Sequence, residues 1–370
     1  MKNIQLIKDI SAKPLYARLN QPFTIATGAH SALENVLVEV TLADGTKGFG
    51  EATPAAHITG ETQQGTLANI KEIAKTLRGK SACDFLEISR FLAGELADNH
   101  CAATALEAAI FDALGKQLSL PMWKFFGSSA PALKSDMTVV LGSVEEAAFA
   151  AKDIKKRGIR CYKIKLGGPK HPDFERIMAV AKAGPGIPVL LDANQAYKPS
   201  EMLALVRELK KAKVNLQLIE QPVPKPDWEG LREVTKKSGV CVCADEAVTG
   251  MESVLRIVSG GYATAVNIKT AKFGYVLGAE MSRVCKSNGI KLMMGGMMES
   301  LLAMTASAHL AAGLGGVDFV DLDTPFFVKD QIMKGNVLRG DGTYDVSKVK
   351  GGIGVTPNPV AMRVAQKALA

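Results

Sequence analysis

The sequence is short of the features that mark membrane, nucleic-acid and redox proteins. No run approaches ~18 consecutive apolar residues, and the N-terminal stretch lacks the continuous apolar segment of a secretory signal. No spanning helix and no membrane partner are expected, and the expected location is cytoplasmic. Only six cysteines occur, none at a metal-binding or redox spacing. Cys241 and Cys243 are separated by one residue on an apolar run. They read as small hydrophobes on one face of a strand, and reduced thiols are the simplest state for all the cysteines. Basic residues outnumber acidic ones, 45 to 37, but they are scattered. The short clusters at 152–160 and 210–213 read as solvated helix faces. No aromatic-interleaved basic patch and no nucleic-acid motif accompany them, which removes nucleic acid from the expected partners.

What is present is an ordinary globular balance, 47% hydrophobic and 22% charged. The 370 residues exceed one compact core but suit a barrel of about 250 residues with a smaller domain. Residues 4–10, 35–42 and 47–51 read as three strands of an antiparallel sheet, with Asp44-Gly45 in the turn between the last two. A polar loop with Gly28, Ala29 and His30 separates the first two strands, and a second loop, 54–62, carries His57 and Ile58. Helical periodicity over 63–77 and 84–97 and an alanine-rich stretch over 101–117 complete an α+β capping domain, set at 1–130.

From Met137 the rhythm changes. Apolar runs at 137–141, 161–166, 188–192, 216–220, 240–245, 265–269, 290–294 and 319–323 alternate with helical patterns such as 144–156, 173–183, 200–212 and 251–258. Parallel neighbours need crossover connections, so eight such runs predict an α/β fold with a (β/α)8-type barrel over 131–324. An open doubly wound sheet is the alternative. It would show a glycine-rich phosphate fingerprint after its first strand, and Leu141-Gly-Ser143 is not one. Residues 325–370 leave the pattern and are expected to return to the capping domain.

The strand ends are the informative positions. Lys163 and Lys165 lie two apart in K-I-K-L-G, on one face of the second strand. On a buried strand two such ammonium groups repel and are costly to desolvate. Each is expected at a lowered pKa, which would free an amine as general base. Alone, the pair reads more readily as a wet strand face. Asp192 ends the third run in L-L-D-A-N-Q, Glu220 the fourth in L-I-E-Q-P, and Asp245 the fifth in C-A-D-E. Lys269 ends the sixth in V-N-I-K-T, and Asp321 and Asp323 the eighth in V-D-L-D-T-P. A barrel gathers all these ends on one face. Any one acid reads as a helix N-cap or a surface pair. Three on adjacent strands crowd like charge into one mouth, and oxygen-only donors call for Mg²⁺ rather than Zn²⁺. Lys165 and Lys269 flank the three acidic strands from opposite sides. That suits removal of a proton from one face of a carbon and its return to the other, through a metal-stabilised enediolate.

Taken together, K-x-K, D-A-N-Q, I-E-Q-P, A-D-E and N-I-K resemble the enolase superfamily, muconate lactonizing enzyme subgroup, over essentially the whole chain. A mandelate racemase type would carry a His–Asp pair on later strands, and Lys269 argues against it. The resemblance implies Lys165 and Lys269 as the two acid/base catalysts, with Lys163 tuning Lys165 and contacting the substrate carboxylate. It implies Asp192, Glu220 and Asp245 as Mg²⁺ ligands. The D-x-D of Asp321 and Asp323 resembles the dipeptide epimerases, in which such a pair holds the α-ammonium of an L-aminoacyl dipeptide. Two further carboxylates beside an acidic site do call for a cationic partner.

The implied activity is a Mg²⁺-dependent isomerase that inverts the C-terminal residue of an L-Ala-Xaa-type dipeptide by two-base 1,1-proton transfer. In this family the cap loops contact the substrate side chain. Where L-Ala-D/L-Glu epimerases carry an arginine in the first loop, His30 stands here, a weaker carboxylate anchor. Ile58, Met297 and Met298 read as lining of an apolar pocket, and Thr138 as a further substrate contact. Hydrophobic or mixed Xaa is therefore expected ahead of Glu. An L-Ala-D/L-Glu epimerase, an o-succinylbenzoate synthase or muconate cycloisomerase, a non-catalytic carboxylate-binding relative, and homo-oligomerisation remain open.

Overall fold

Three antiparallel strands open the chain, β1 (Ile7–Ile25), β2 (Gly28–Leu42) and β3 (Lys47–Ala52), paired in that order. The computed structural model describes residues 4–25, 28–56, 58–127 and 132–369. Ala26 and Thr27 of the first expected loop, His57 of the second, and the 130/131 domain boundary lie outside the described residues. The expected polar loop at Gly28, Ala29 and His30 is instead strand: Phe23 pairs with His30, Thr24 with Ala29 and Ile25 with Gly28. Exposure alternates along residues 28–32, but Gly28, Ala29, His30, Ser31 and Ala32 are small or polar, so the sequence shows no apolar period-two signal there.

Behind the sheet lie α1 (Gln63–Leu77), α2 (Phe85–Glu95) and α3 (His100–Gln117). The alanine-rich α3 sits on β3 at contact distance because β3 offers glycine there. A Cβ on Gly48 would lie 2.0 Å from the Ala109 carbonyl oxygen, and one on Gly50 would lie 1.9 Å from that of Ala105. Asp112, fully buried on α3, accepts the N–H groups of Phe49 and Ile353 at 2.8 Å and the Lys116 ammonium at 2.5 Å. One carboxylate thus joins the sheet, the helix and the C-terminal segment.

After β4 (Ala132–Lys134) comes the alternating region: β5 (Met137–Val139), α4 (Val144–Arg157), β6 (Tyr162–Lys165), α5 (Asp173–Ala183), β7 (Val189–Asp192), α6 (Pro199–Lys211), β8 (Leu216–Glu220), α7 (Trp228–Ser238), β9 (Cys241–Ala244), α8 (Met251–Gly260), β10 (Ala265–Lys269), α9 (Thr270–Ser287), β11 (Lys291–Gly295), α10 (Leu301–Leu314) and β12 (Phe319–Val320). Local chemistry sets the boundaries. Ser143 and Glu146 form a reciprocal capping box at the start of α4, and Gly158, at φ 93°, ends it in the left-handed conformation.

Strands β5 to β12 form one eight-stranded parallel sheet in chain order. Its two edges meet where the Asp136 N–H donates to the Val320 carbonyl at 2.8 Å, so the sheet curls into a barrel. The eighth run is strand only at 319–320. Asp321 and Asp323 lie beyond it, in a turn where the Asp323 carboxylate accepts the Thr138 N–H at 2.6 Å. A 3-10 turn over Thr324–Phe326 follows β12 rather than an eighth helix. Inside the barrel, Leu190, Leu218, Cys243, Ala265 and Met293 pack as an apolar floor, with Cys241 beside them.

The tail holds β13 (Met333–Lys334), β14 (Thr343–Asp345), β15 (Thr356–Pro357) and α11 (Pro359–Leu369). β14 pairs with β4, α11 packs on β1, and Arg18 of β1 reaches Asp330 at 2.6 Å. Among the described residues no helix is long and apolar enough to cross a membrane.

Candidate active site

Parallel register places the charged strand ends at one level. Lys165 pairs with Asp192, and Asp192 with Glu220. Asp245 follows β9 directly and Lys269 closes β10, so β6 and β10 flank the acidic strands from either side. None of this is a wet face. Lys163 is 1% exposed, Lys165 and Lys269 7%, and Asp192 and Glu220 0%. Lys163 Nζ lies 2.5 Å from Asp321, 2.8 Å from Glu220 and 3.0 Å from Asp192. Lys165 and Lys269 each reach one carboxylate at 2.5 Å, Asp192 and Asp245 respectively.

This pairing reverses the titration expected of Lys163. Burial pulls the Lys163 ammonium down, but Asp192, Asp321 and Glu220 outweigh it and push the group well above the ordinary lysine range. Lys269 is raised in the same way, by Asp245 and Glu220 against burial. Like charges two residues apart matter less than the carboxylates the barrel brings to them. The acids divide. Asp192 and Asp245 are driven below the carboxylate range, their burial overcome by the lysines beside them. Glu220 is raised by burial and by Asp192.

The three acids at β7–β9 suit a hard divalent cation. All their donors are oxygen, all three are buried, and Glu220 Oε2 receives no hydrogen bond although the Lys163 ammonium lies close. Their oxygens do not converge tightly, because the lysines lie between them. Among the described residues the acids that gather within 4.8 Å are Asp136, Asp321 and Asp323.

Above these groups lies a cavity of about 860 Å³ between the barrel mouth and the cap. Lys165, Lys269, Asp245, Asp321, Asp323 and Thr138 line its barrel side. His30, Ile58, Met297 and Met298 also line it, Phe23 and Ile25 of β1 add apolar surface, and charged groups such as Glu61, Lys225, Glu246 and Lys272 share the wall. Lys163, Asp192 and Glu220 do not reach the cavity and lie beneath it. The Met297–Met298 segment is held from the cap: Asn35 donates to the Met298 carbonyl at 2.9 Å, and buried Glu51 accepts from the Ser300 N–H at 2.9 Å and from the Ser300 hydroxyl.

Several residues of the site escaped the sequence reading. Asn267 donates to Glu220 Oε1 at 2.6 Å, and Gly295 leaves it room, since a Cβ there would lie 2.6 Å from the Asn267 amide oxygen. Its signal was available, because Asn267 stands two before Lys269 on the same strand face. Lys272 binds the Asp245 carbonyl at 2.6 Å and its carboxylate at 3.1 Å from the first turn of α9. Gln221, at φ 33°, accepts the Asp245 and Ala247 N–H groups. Neither has a period that marks it.

A parallel barrel with opposed lysines around carboxylates, under an α+β cap, is the arrangement of enolase-like proteins. The comparisons agree. Residues 10–127 match the mandelate racemase/muconate lactonizing enzyme N-terminal domain, and residues 145–361 match the enolase C-terminal domain-like family. The chain belongs to the mandelate racemase/muconate lactonizing enzyme family of the enolase superfamily. It is 42% identical over 359 residues to a hydrophobic dipeptide epimerase of Citrifermentans bemidjiense, covering 95% of this chain and 98% of that one. It is 40% identical over 346 residues to an aromatic dipeptide epimerase of Herpetosiphon aurantiacus, covering 93% and 97%. It also superposes with a TM-score of 0.90, at 29% identity and 95% and 99% coverage, on the crystal structure of a dipeptide epimerase from Enterococcus faecalis V583 complexed with Mg and L-Leu-L-Tyr.

Proposed function

We propose that this chain is an isomerase that inverts the C-terminal residue of L-aminoacyl dipeptides with an apolar second side chain. The observation that carries the reading is one cavity lined at once by two lysines from opposite sides of the acidic strands and by the Asp321–Asp323 pair. In this reading Asp192, Glu220 and Asp245 hold Mg²⁺, which when bound supplies positive charge to the substrate carboxylate and acidifies the neighbouring carbon. Lys163, buried beneath, adds a fixed positive charge on the same side. Asp321 and Asp323 take the α-ammonium, which fixes the dipeptide end to end. Lys165 and Lys269 then address opposite faces of the α-carbon: one takes its proton, the other returns one, and the configuration inverts. The amine that accepts must first give up its own proton; with Asp192 and Asp245 engaged by a cation, the ion pairs that hold the Lys165 and Lys269 ammonium groups would loosen.

Phe23, Ile25, Ile58, Met297 and Met298 support an apolar side-chain preference, as do the two relatives named for hydrophobic and aromatic dipeptides. Chiral analysis of the C-terminal residue after incubation with Mg²⁺ tests the whole reading. L-Ala-L-Leu, L-Ala-L-Phe and L-Ala-L-Tyr should epimerise faster than L-Ala-L-Glu. Faster turnover of the glutamyl dipeptide overturns the side-chain assignment, and no epimerisation of any dipeptide overturns the reaction.

A further inference from the structure

Asp136 stands outside the roles above. It immediately precedes β5, and its backbone N–H makes the bond that joins the edges of the sheet. Its side chain is 2% exposed, and neither carboxyl oxygen meets a hydrogen-bond donor. The nearby donors are committed elsewhere: the Lys163 ammonium to Asp321 at 2.5 Å and the Thr138 N–H to Asp323 at 2.6 Å. What remains beside Asp136 is acceptor. One carboxylate oxygen from each of Asp136, Asp321 and Asp323 lies within 4.8 Å of the other two. Buried acceptors this close repel unless one of them carries a proton, which turns the contact into an O–H···O bond.

We propose that Asp136 is a neutral carboxylic acid that donates a hydrogen bond to the Asp321 carboxylate and positions it to receive the substrate α-ammonium. This rests on the ammonium-binding reading of Asp321 and Asp323. It makes Asp136 a positioning residue, since it does not line the cavity. The surrounding charges agree. Burial, then Asp321, raise Asp136 far above the carboxylate range, with Lys163 opposing and Asp323 reinforcing. Asp321 itself is held low, its burial overcome by Lys163 and Lys165. The thiol of Cys161 is pushed up by burial and stays neutral, so it brings no charge to the cluster.

Two variants and one spectrum test this. Asp136→Leu removes the donor, and Asp136→Asn keeps the shape and supplies an amide donor without charge. A hydrogen bond to a charged group is worth enough that Asp136→Leu should raise the dipeptide KM about tenfold, with a smaller change in kcat. Asp136→Asn should recover most of that loss. At neutral pH the infrared difference between wild type and Asp136→Asn should show the carbonyl stretch of a protonated carboxyl, lost in the variant. An Asn variant as impaired as Leu, or a difference spectrum with carboxylate bands only, overturns the proposal. The spectrum needs no substrate and no Leu variant, so it still decides if Leu fails to fold or if no dipeptide is turned over.

Discussion

Lys163 and Lys165 are the same residue type, two positions apart on one strand, yet they meet different surroundings. Lys163 is shared among three carboxylates and closed off from the cavity, whereas Lys165 has one carboxylate, Asp192, and opens into the cavity. In the proposed mechanism that difference separates a fixed charge from a mobile base. If the Asp321–Asp323 pair holds the α-ammonium, Asp323→Asn removes one charge-assisted bond, and the dipeptide KM should rise about tenfold or more while Mg²⁺ affinity, read by calorimetry, stays within about twofold. Equal loss of both points to a structural role for Asp323. The lysines and acids were legible one by one because each closes a predicted run. The sign of the lysine titration was not, because it depends on which carboxylates the barrel sets beside them. The same holds for Asp136, whose meaning comes from neighbours some 185 residues further along the chain.

At the scale of elements, repetition is what made the fold readable. Strand runs followed by helical patterns specify crossovers, and the predicted runs at 216–220 and 265–269 coincide with β8 and β10. The outer end of the long β1–β2 hairpin, around Gly28 to Ala32, was not readable, because its small and polar residues show no apolar alternation. The α3–β3 contact was half legible: alanines in α3 announced close packing, but nothing named Gly48 and Gly50 as the surface beneath. Gly50→Ala would drive a methyl into the Ala105 carbonyl and should cost roughly 3 kcal/mol, read as a lowered urea midpoint. Gly94→Ala is the matched control. It lies in α2 with nothing near its Cβ position, and should gain up to about 1 kcal/mol. A Gly50→Ala midpoint equal to wild type shows that the helix can move away freely.

The whole molecule is tied together by buried polar groups that reach across the chain. His309 on α10 accepts the Trp123 N–H at 3.1 Å and faces the Ile353 carbonyl at 3.0 Å, so Nε2 carries the proton. Burial lowers this histidine to about 4 from 6.5, against the Ile353 bond. The unfolded chain therefore binds more protons between those values. The stabilisation from neutral His309 is complete above pH 6.5 and is lost as pH falls toward 4. Relative to His309→Gln, wild type should lose about 3 kcal/mol more between pH 7 and pH 4 in urea unfolding. Parallel curves show that His309 does not couple folding to pH.

The central claim is that two lysines address opposite faces of one carbon, and α-proton exchange in D₂O tests it most directly. With Mg²⁺ and L-Ala-L-Leu or L-Ala-D-Leu, wild type should wash deuterium into the C-terminal α-carbon of both epimers. Lys165→Ala and Lys269→Ala should each abolish epimerisation, and each should retain exchange in one epimer only, a different one for each variant. Loss of exchange from the same epimer in both variants, or full epimerisation by either, contradicts the two-base account.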